Sequence, residues 1–229
     1  DPIEYQLPRI NQVQVKPEIG LTFANGLRSL LRQDPDIIMV GEIRDSETSG
    51  LAINASLTGH LVLSTIHTNS AAGAIPRLID MGVLPFLIIS TVKTIIAQRL
   101  VRKLLPSRKE YFLSDIEIKN LSKLVNLDRM LDILKKEKII GPKTTWEKVP
   151  FYKPIKSKES EDGYLGRIGI HEILQVTSYI REMIIRGTSQ DEIEEQAKKE
   201  GMITILEDGV FKAVQGVTSL EEVFSVVSE

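Results

Sequence analysis

Glu42 lies in the stretch DPDIIMVGEIRD, residues 34–45, directly after four apolar residues and a glycine. A run such as Ile37-Ile38-Met39-Val40 reads as a strand buried on both faces. It delivers the carboxylate just past its carboxyl end, the edge where open α/β sheets bind ligands. A carboxylate there can hold hydrated magnesium or orient the water that attacks a phosphoryl group. Position alone does not separate this chemistry from an ordinary loop acid, which is the commoner outcome. Asp34 and Asp45 have structural readings nearby, the first ending a helix and the second capping the next.

His60 and His67 flank a second apolar run, Leu61 to Ile66. Seven residues apart on a strand, they fall at opposite ends and on opposite faces, so they do not hold one metal together. His67-Thr68-Asn69 leaves this strand beside the one that carries Glu42. An imidazole there can hydrogen-bond a phosphate, although a ring satisfied by loop backbone is at least as common. Arg28, Arg32, Arg44, Arg77, Arg99 and Arg102 surround the segment. Most such arginines are surface cations, and spacing does not choose which of them clamp phosphates.

Other chemistry is excluded by what is missing. A phosphate-gripping loop needs G-x-x-x-x-G-K-[ST], and no Gly-Lys pair occurs anywhere in the 229 residues. The glycines of GYLGRIG read as turns. There is no H-E-x-x-H and no nucleophile elbow. Cysteine is absent, which removes disulfides and thiolate zinc sites and fits a reducing compartment. Three histidines without cysteine argue against a transition-metal centre. A net charge of -2 and 5% aromatic residues give no footprint for nucleic acid. The apolar segment Leu84–Val92 is too short to span a bilayer.

The elements that position these residues follow from periodicity. Ile10 to Val15 alternates like an edge ribbon, and Leu21 to Leu31 has helical spacing that Asp34-Pro35 ends. A helix from Asp45 to Leu57 stops at Gly59, and another over 70–81 carries Pro76, which predicts a kink. The segment 85–98 reads as helix. Helix, strand, helix, strand, helix at short spacing argues for a parallel α/β sheet. Residues 106–162 shift to Lys, Glu, Ser and Asp, with one amphipathic helix over 115–138. From Gly163 an alternating stretch leads into three short helices, with capping boxes at Ser189 and at Thr218 or Ser219. The opening DPIEYQLPRI reads as the interior of a longer chain.

The stretches DPIEYQLPRINQVQV, GLTFANGLRSLLRQDPDIIMVGEIRDSET, LTGHLVLSTIHTNSAAGAIPRLIDMGV and AQRLVRKLLP closely resemble the GspE/PilB-type motor ATPases of bacterial type II secretion and type IV pilus assembly. The resemblance resumes at GYLGRIGIHEIL and runs through EDGVFKAVQGVTSLEEV. It implies an α/β fold whose RecA-like P-loop NTPase core, over residues 1–105, lacks its amino-terminal side. A small insertion subdomain at 106–162 and an α-rich subdomain at 163–229 would complete it.

The same resemblance assigns roles. Asp1-Pro2-Ile3-Glu4 is similar to the tail of the family's acidic box, making Glu4 a catalytic candidate and Asp1 a nucleotide-binding one. Gly41-Glu42-Ile43-Arg44-Asp45 is similar to the Walker B segment, with Glu42 acting on magnesium-bound water and Arg44 near phosphate. Thr58 through Thr68 is similar to the histidine box, which places His60 and His67 at the nucleotide phosphates. The implied protein binds ATP with Mg2+ and works as a homo-hexamer. It would stand in the cytoplasm, peripheral to the inner membrane, with a membrane platform and cytoplasmic adaptor proteins as partners.

Two departures qualify these expectations. Without the phosphate loop, these residues should bind ATP poorly and hydrolyse little by themselves. Many relatives carry a four-cysteine zinc motif where 106–162 stands; here no zinc is expected, and a small core around 116–134 must hold the insertion. The insertion favours an assembly or secretion motor over a retraction motor. The rival readings are a retraction or DNA-transfer motor and a truncated, non-catalytic paralogue that serves as an interaction module.

Overall fold

Thr22 opens the first helix of the computed structural model, which describes residue 3 and residues 5–228, by accepting a hydrogen bond from the Asn25 N–H. α1 (Phe23–Leu31) follows, with Ala24 and Leu27 buried. Asp34, left-handed at φ 52°, turns the chain toward β1 (Ile37–Val40). α2 (Ser46–Leu57) starts at Asp45, whose carboxylate accepts from the Thr48 N–H at 2.8 Å. It leads to β2 (Leu61–Ser64), parallel to β1 with Ile37 opposite Leu61 and Val40 opposite Ser64. This strand–helix–strand unit is the parallel arrangement that the alternation of elements predicts.

Ile38 and Val40 are buried with Leu27 and Ala55, and Phe23, Leu31, Leu51 and Val62 pack around them. The second face departs from the sequence expectation of a strand buried on both sides. Ile37 is 60% exposed and Met39 74%, and their register partners Leu61 and Leu63 are exposed beside them. The helices that pack on this sheet bury one side of a period-two pattern; among the described residues nothing covers the other.

The ribbon expected over Ile10–Val15 is not a strand: those residues are irregular, and the nearest pairing is a single bridge between Lys16 and Leu21. A ribbon needs a partner to satisfy its N–H and C=O groups, and no described residue supplies one. α3 (Ala74–Asp80) begins later than expected, so Pro76 falls in its first turn. There its missing N–H costs no intrahelical bond, and the expected kink loses its cause.

α4 (Pro85–Thr91) starts on its proline, as helices favour. It ends where Val92, Thr94, Ile95 and Ile96 concentrate β-branched side chains. The helix expected over 85–98 therefore gives way to β3 (Thr94–Leu104). β4 (Arg108–Phe112) follows, then α5 (Asp115–Leu121) and α6 (Leu127–Lys136). A single helix over 115–138 is thus broken at 122–126, where Asn126 caps α6 by accepting from the Arg129 N–H. β5 (Pro150–Pro154) pairs antiparallel with β4, and β6 (Tyr164–Gln175) pairs with β3.

Four helices close the chain where three were expected: α7 (Ser178–Arg186), α8 (Gln190–Lys199), α9 (Ile205–Val214) and α10 (Leu220–Val227). The chain divides into two compact units. Residues up to Ile95 join Leu174–Lys199, and Ile96–Ile173 join the residues from Glu200 on. Packing explains the second of these. Leu121, Met130, Leu134, Trp146 and Phe151 of the insertion share one core with Val210, Ala213, Val214 and Leu220 of α9 and α10. The small core expected around 116–134 exists, but it is half of a larger one.

Candidate active site

The loop after β1 carries the candidate residue Glu42. β1 and β2 are in register through Val40 and Ser64, and the pairing continues beyond them. The Ile43 N–H donates to the Thr65 carbonyl at 2.9 Å, and the Thr65 hydroxyl donates to the Gly41 carbonyl at 2.6 Å. Glu42 stands between those two fastened residues. Its side chain, 11% exposed, meets two partners: the Arg44 guanidinium on Oε1 and His67 Nε2 at 3.1 Å from Oε2. An ionised carboxylate only accepts, so the His67 Nε2 carries the proton of that bond.

The hydrogen bond from Arg44 is the main reason that the Glu42 carboxyl is held below its usual range, with His67 adding to it. The group is therefore an anion at neutral pH and a weak proton acceptor. Such a carboxylate is better suited to holding and orienting hydrated magnesium or water than to removing a proton outright. Two carboxylate oxygens offer about four lone-pair directions, and Arg44 and His67 use one on each oxygen. Acceptor capacity remains for water. Among the described residues no three His, Asp or Glu side chains converge on a metal site. A single carboxylate still fits Mg2+, which keeps most of its waters and takes few protein ligands.

Glu42, Arg44 and His67 are thus brought together; positions after adjacent strands predict this for Glu42 and His67, whereas spacing does not single out Arg44 among the arginines. His60 is not with them. It precedes β2 at the amino end, where the Leu61 N–H bonds to Asp36, while Glu42 follows the carboxyl ends of the strands. Its Nδ1 lies 2.9 Å from the Ala55 carbonyl and 3.0 Å from the Thr58 hydroxyl. Since a carbonyl only accepts, Nδ1 donates, and the ring closes the last turn of α2. Asp1 and Glu4 lie outside the described residues. Of the other arginines, Arg28 bonds to Asn25, and Arg102 is engaged with Glu222 and Asp162. Thr65 had no signal in the sequence, because its part depends on a strand register that spacing does not reveal.

Parallel strands joined through a helix, with a carboxylate held by an arginine and a histidine just past their carboxyl ends, define an α/β protein with a candidate site at the sheet edge. Solved structures agree on the fold. The ATPase DotB of Legionella pneumophila superposes with a TM-score of 0.58 at 22% identity, over 99% of this chain and 49% of that one. DotB of Yersinia pseudotuberculosis gives 0.61 at 19% identity, over 99% and 47%. The chain belongs to the type II/IV secretion system protein family, whose sequence profile matches residues 1–225.

Named relatives come from type II secretion and from type IV pilus assembly. Type II secretion system protein E of Xanthomonas campestris is 47% identical over 230 residues, all of this chain and 38% of that protein. Type IV pilus assembly ATPase PilB of Thermus thermophilus is 48% identical over 98% of this chain and 24% of that protein. Type II secretion system ATPase E of Vibrio cholerae is 45% identical over all of this chain and 42% of that protein. The chain therefore spans less than half the length of these relatives.

Proposed function

We propose that this chain is the Glu42-bearing part of an ATP-hydrolysing motor that powers type II protein secretion or type IV pilus assembly. The observation that carries the reading is the anionic Glu42 at the strand ends, gripped by Arg44 and His67, in a chain similar throughout to secretion and pilus ATPases. The apolar face formed by Ile37, Met39, Leu61 and Leu63 supports it from a different direction. Parallel sheets are covered on both faces, so this face is where the rest of a RecA-like P-loop core packs, bringing the phosphate loop that these residues lack.

In that setting ATP with Mg2+ binds at the carboxyl ends of β1 and β2. The metal supplies charge neutralisation at the phosphates. Glu42 orients the water at the terminal phosphoryl group, while Arg44 and His67 hold its carboxylate and lie within reach of developing negative charge. The motor is a homo-hexamer docked on an inner-membrane platform and cytoplasmic adaptors, at the cytoplasmic side. Among the described residues no helix is long and apolar enough to cross a membrane.

The test is ATP turnover by the intact motor with Glu42→Gln. Turnover should fall by at least about 100-fold, in the range seen when one electrostatic group is lost from an active site, while ATP binding persists. Normal turnover in that variant would overturn the assignment.

A further inference from the structure

Thr65 is hydrogen-bonded to the chain on both sides of Glu42. Its hydroxyl donates to the carbonyl of Gly41 at 2.6 Å, and its own carbonyl accepts from the N–H of Ile43 at 2.9 Å. The β1–β2 ladder ends at Val40 and Ser64, so these bonds extend strand-like pairing across the segment that presents the carboxylate. One of them uses a side chain. That bond is therefore a choice of residue and not a property of any backbone at the position.

We propose that Thr65 is a positioning residue for Glu42, clamping Gly41 and Ile43 so that the carboxylate projects at a fixed angle from the strand ends. The inference rests on the reading of Glu42 as the group that orients water. Gly41 supplies the need for such a clamp, because a glycine leaves the backbone before Glu42 with more conformational freedom than any other residue. Without the hydroxyl, Gly41 retains only its own turn preferences, and Glu42 moves with it. Catalytic geometry is sensitive on this scale, since displacement of about 1 Å can cost about 100-fold in rate. The hydroxyl bond is solvent-exposed and Ile43 is only half-buried, so the smaller effect of a single net hydrogen bond is expected.

The experiment compares Thr65→Val, which keeps the shape and loses the hydroxyl, with Thr65→Ser, which keeps the hydroxyl. In the intact motor, Thr65→Val should lower kcat about 5- to 10-fold, the rate equivalent of one net hydrogen bond, with KM for ATP unchanged. Thr65→Ser should restore turnover. Amide exchange in the 229-residue chain gives the second readout. In Thr65→Val the Ile43 N–H should exchange about 10-fold faster, while Ile38 and Val40 keep their protection.

Wild-type kcat in Thr65→Val, or failure of Ser to rescue, overturns the proposal. So does loss of protection along all of β1, which would make Thr65 a fold residue only. Glu42→Gln, run in parallel, separates the two readings. Normal turnover there removes the role of Glu42, whereas Ile43 exchange still reports whether Thr65 holds the loop.

Discussion

Arg102 closes on Glu222 with three donors: its backbone N–H at 3.0 Å, Nε at 2.9 Å and Nη2 at 2.5 Å. The Glu222 side chain is 7% exposed, so the pair ties the start of α10 to β3 through a nearly buried charge. Arg102 also lies over the Tyr164 ring at 4.3 Å and reaches Asp162 at 3.0 Å. The spacing offers two capping boxes here, Thr218 with Glu221 or Ser219 with Glu222. Ser219 does cap α10, but the Glu222 side chain has been taken by the arginine.

Replacing Arg102 by Ala should destabilise the second unit by about 2–3 kcal/mol, because it leaves a carboxylate buried without its partner. Half of the arginine is in water, which keeps the cost below that of a fully buried pair. The bond from Arg102 also holds the Glu222 carboxyl below its usual range. A depressed folded value means that the unfolded chain binds this proton more readily. The pair's contribution is therefore complete above the ordinary Glu value of about 4.3 and is lost as pH falls through the lower folded value. Urea denaturation of wild type and Arg102→Ala at neutral and acid pH checks both parts; the gap between them should narrow in acid.

At the candidate site, Arg44→Gln should raise the pH at which Glu42 titrates, since the Arg44 hydrogen bond is the main cause of its depression. His67→Ala should raise it less. His60→Ala should leave it unmoved and instead lower stability by about 1 kcal/mol, the value of one net hydrogen bond at the end of α2. Carbon-detected NMR titration of the Glu42 carboxyl in the three variants distinguishes these outcomes. A shift caused by His60→Ala would contradict the placement of that ring at the far end of β2.

The parallel strand pair was legible in the sequence because Ile37–Val40 and Leu61–Ser64 are short apolar runs with a capped helix between them. The same logic put Glu42 and His67 at one end and His60 at the other. It did not reach Thr65, whose contacts need the register between strands. It also misjudged 85–98, where apolar residues without clear periodicity suit a helix and a strand equally and β-branched side chains decided for the strand. The burial of β1 on both faces was inferred from the run alone, whereas its cover depends on polypeptide packed against it. Unit boundaries were least legible, because α9 shares a core with residues some 80 positions earlier, such as Met130.

That shared core makes a prediction about the insertion. Met130, Leu134 and Phe151 are fully buried against Val210 and Ala213, and Trp146, the chain's single tryptophan, donates to the Leu127 carbonyl at 3.1 Å. Met130→Ala should cost about 2–5 kcal/mol by removing packed methylenes. The loss should appear as a lower midpoint in Trp146 fluorescence, and Val210→Ala should shift the same transition. A metal chelator should leave the midpoint unmoved, because apolar side chains without any cysteine hold this subdomain.

Gly209 offers the sharpest test of how α9 meets α10. A Cβ built at Gly209 would collide with the methyl groups of Val223, which is itself fully buried. Alanine favours a helix interior over glycine by about 1 kcal/mol, so a surface glycine here would gain from the change. Gly209→Ala should instead destabilise the protein by about 1–3 kcal/mol, the range for overpacking a filled core. Val223→Ala removes the opposing methyl groups and costs about 2 kcal/mol by itself through the cavity that it leaves. The two changes relieve each other, since the new methyl enters the space that the old ones vacate. The double variant should therefore be more stable than the sum of the single losses by about 1 kcal/mol or more, the size of coupling between residues in contact. Urea denaturation of the four proteins measures that coupling, and strict additivity would mean that the two helices do not meet at these residues.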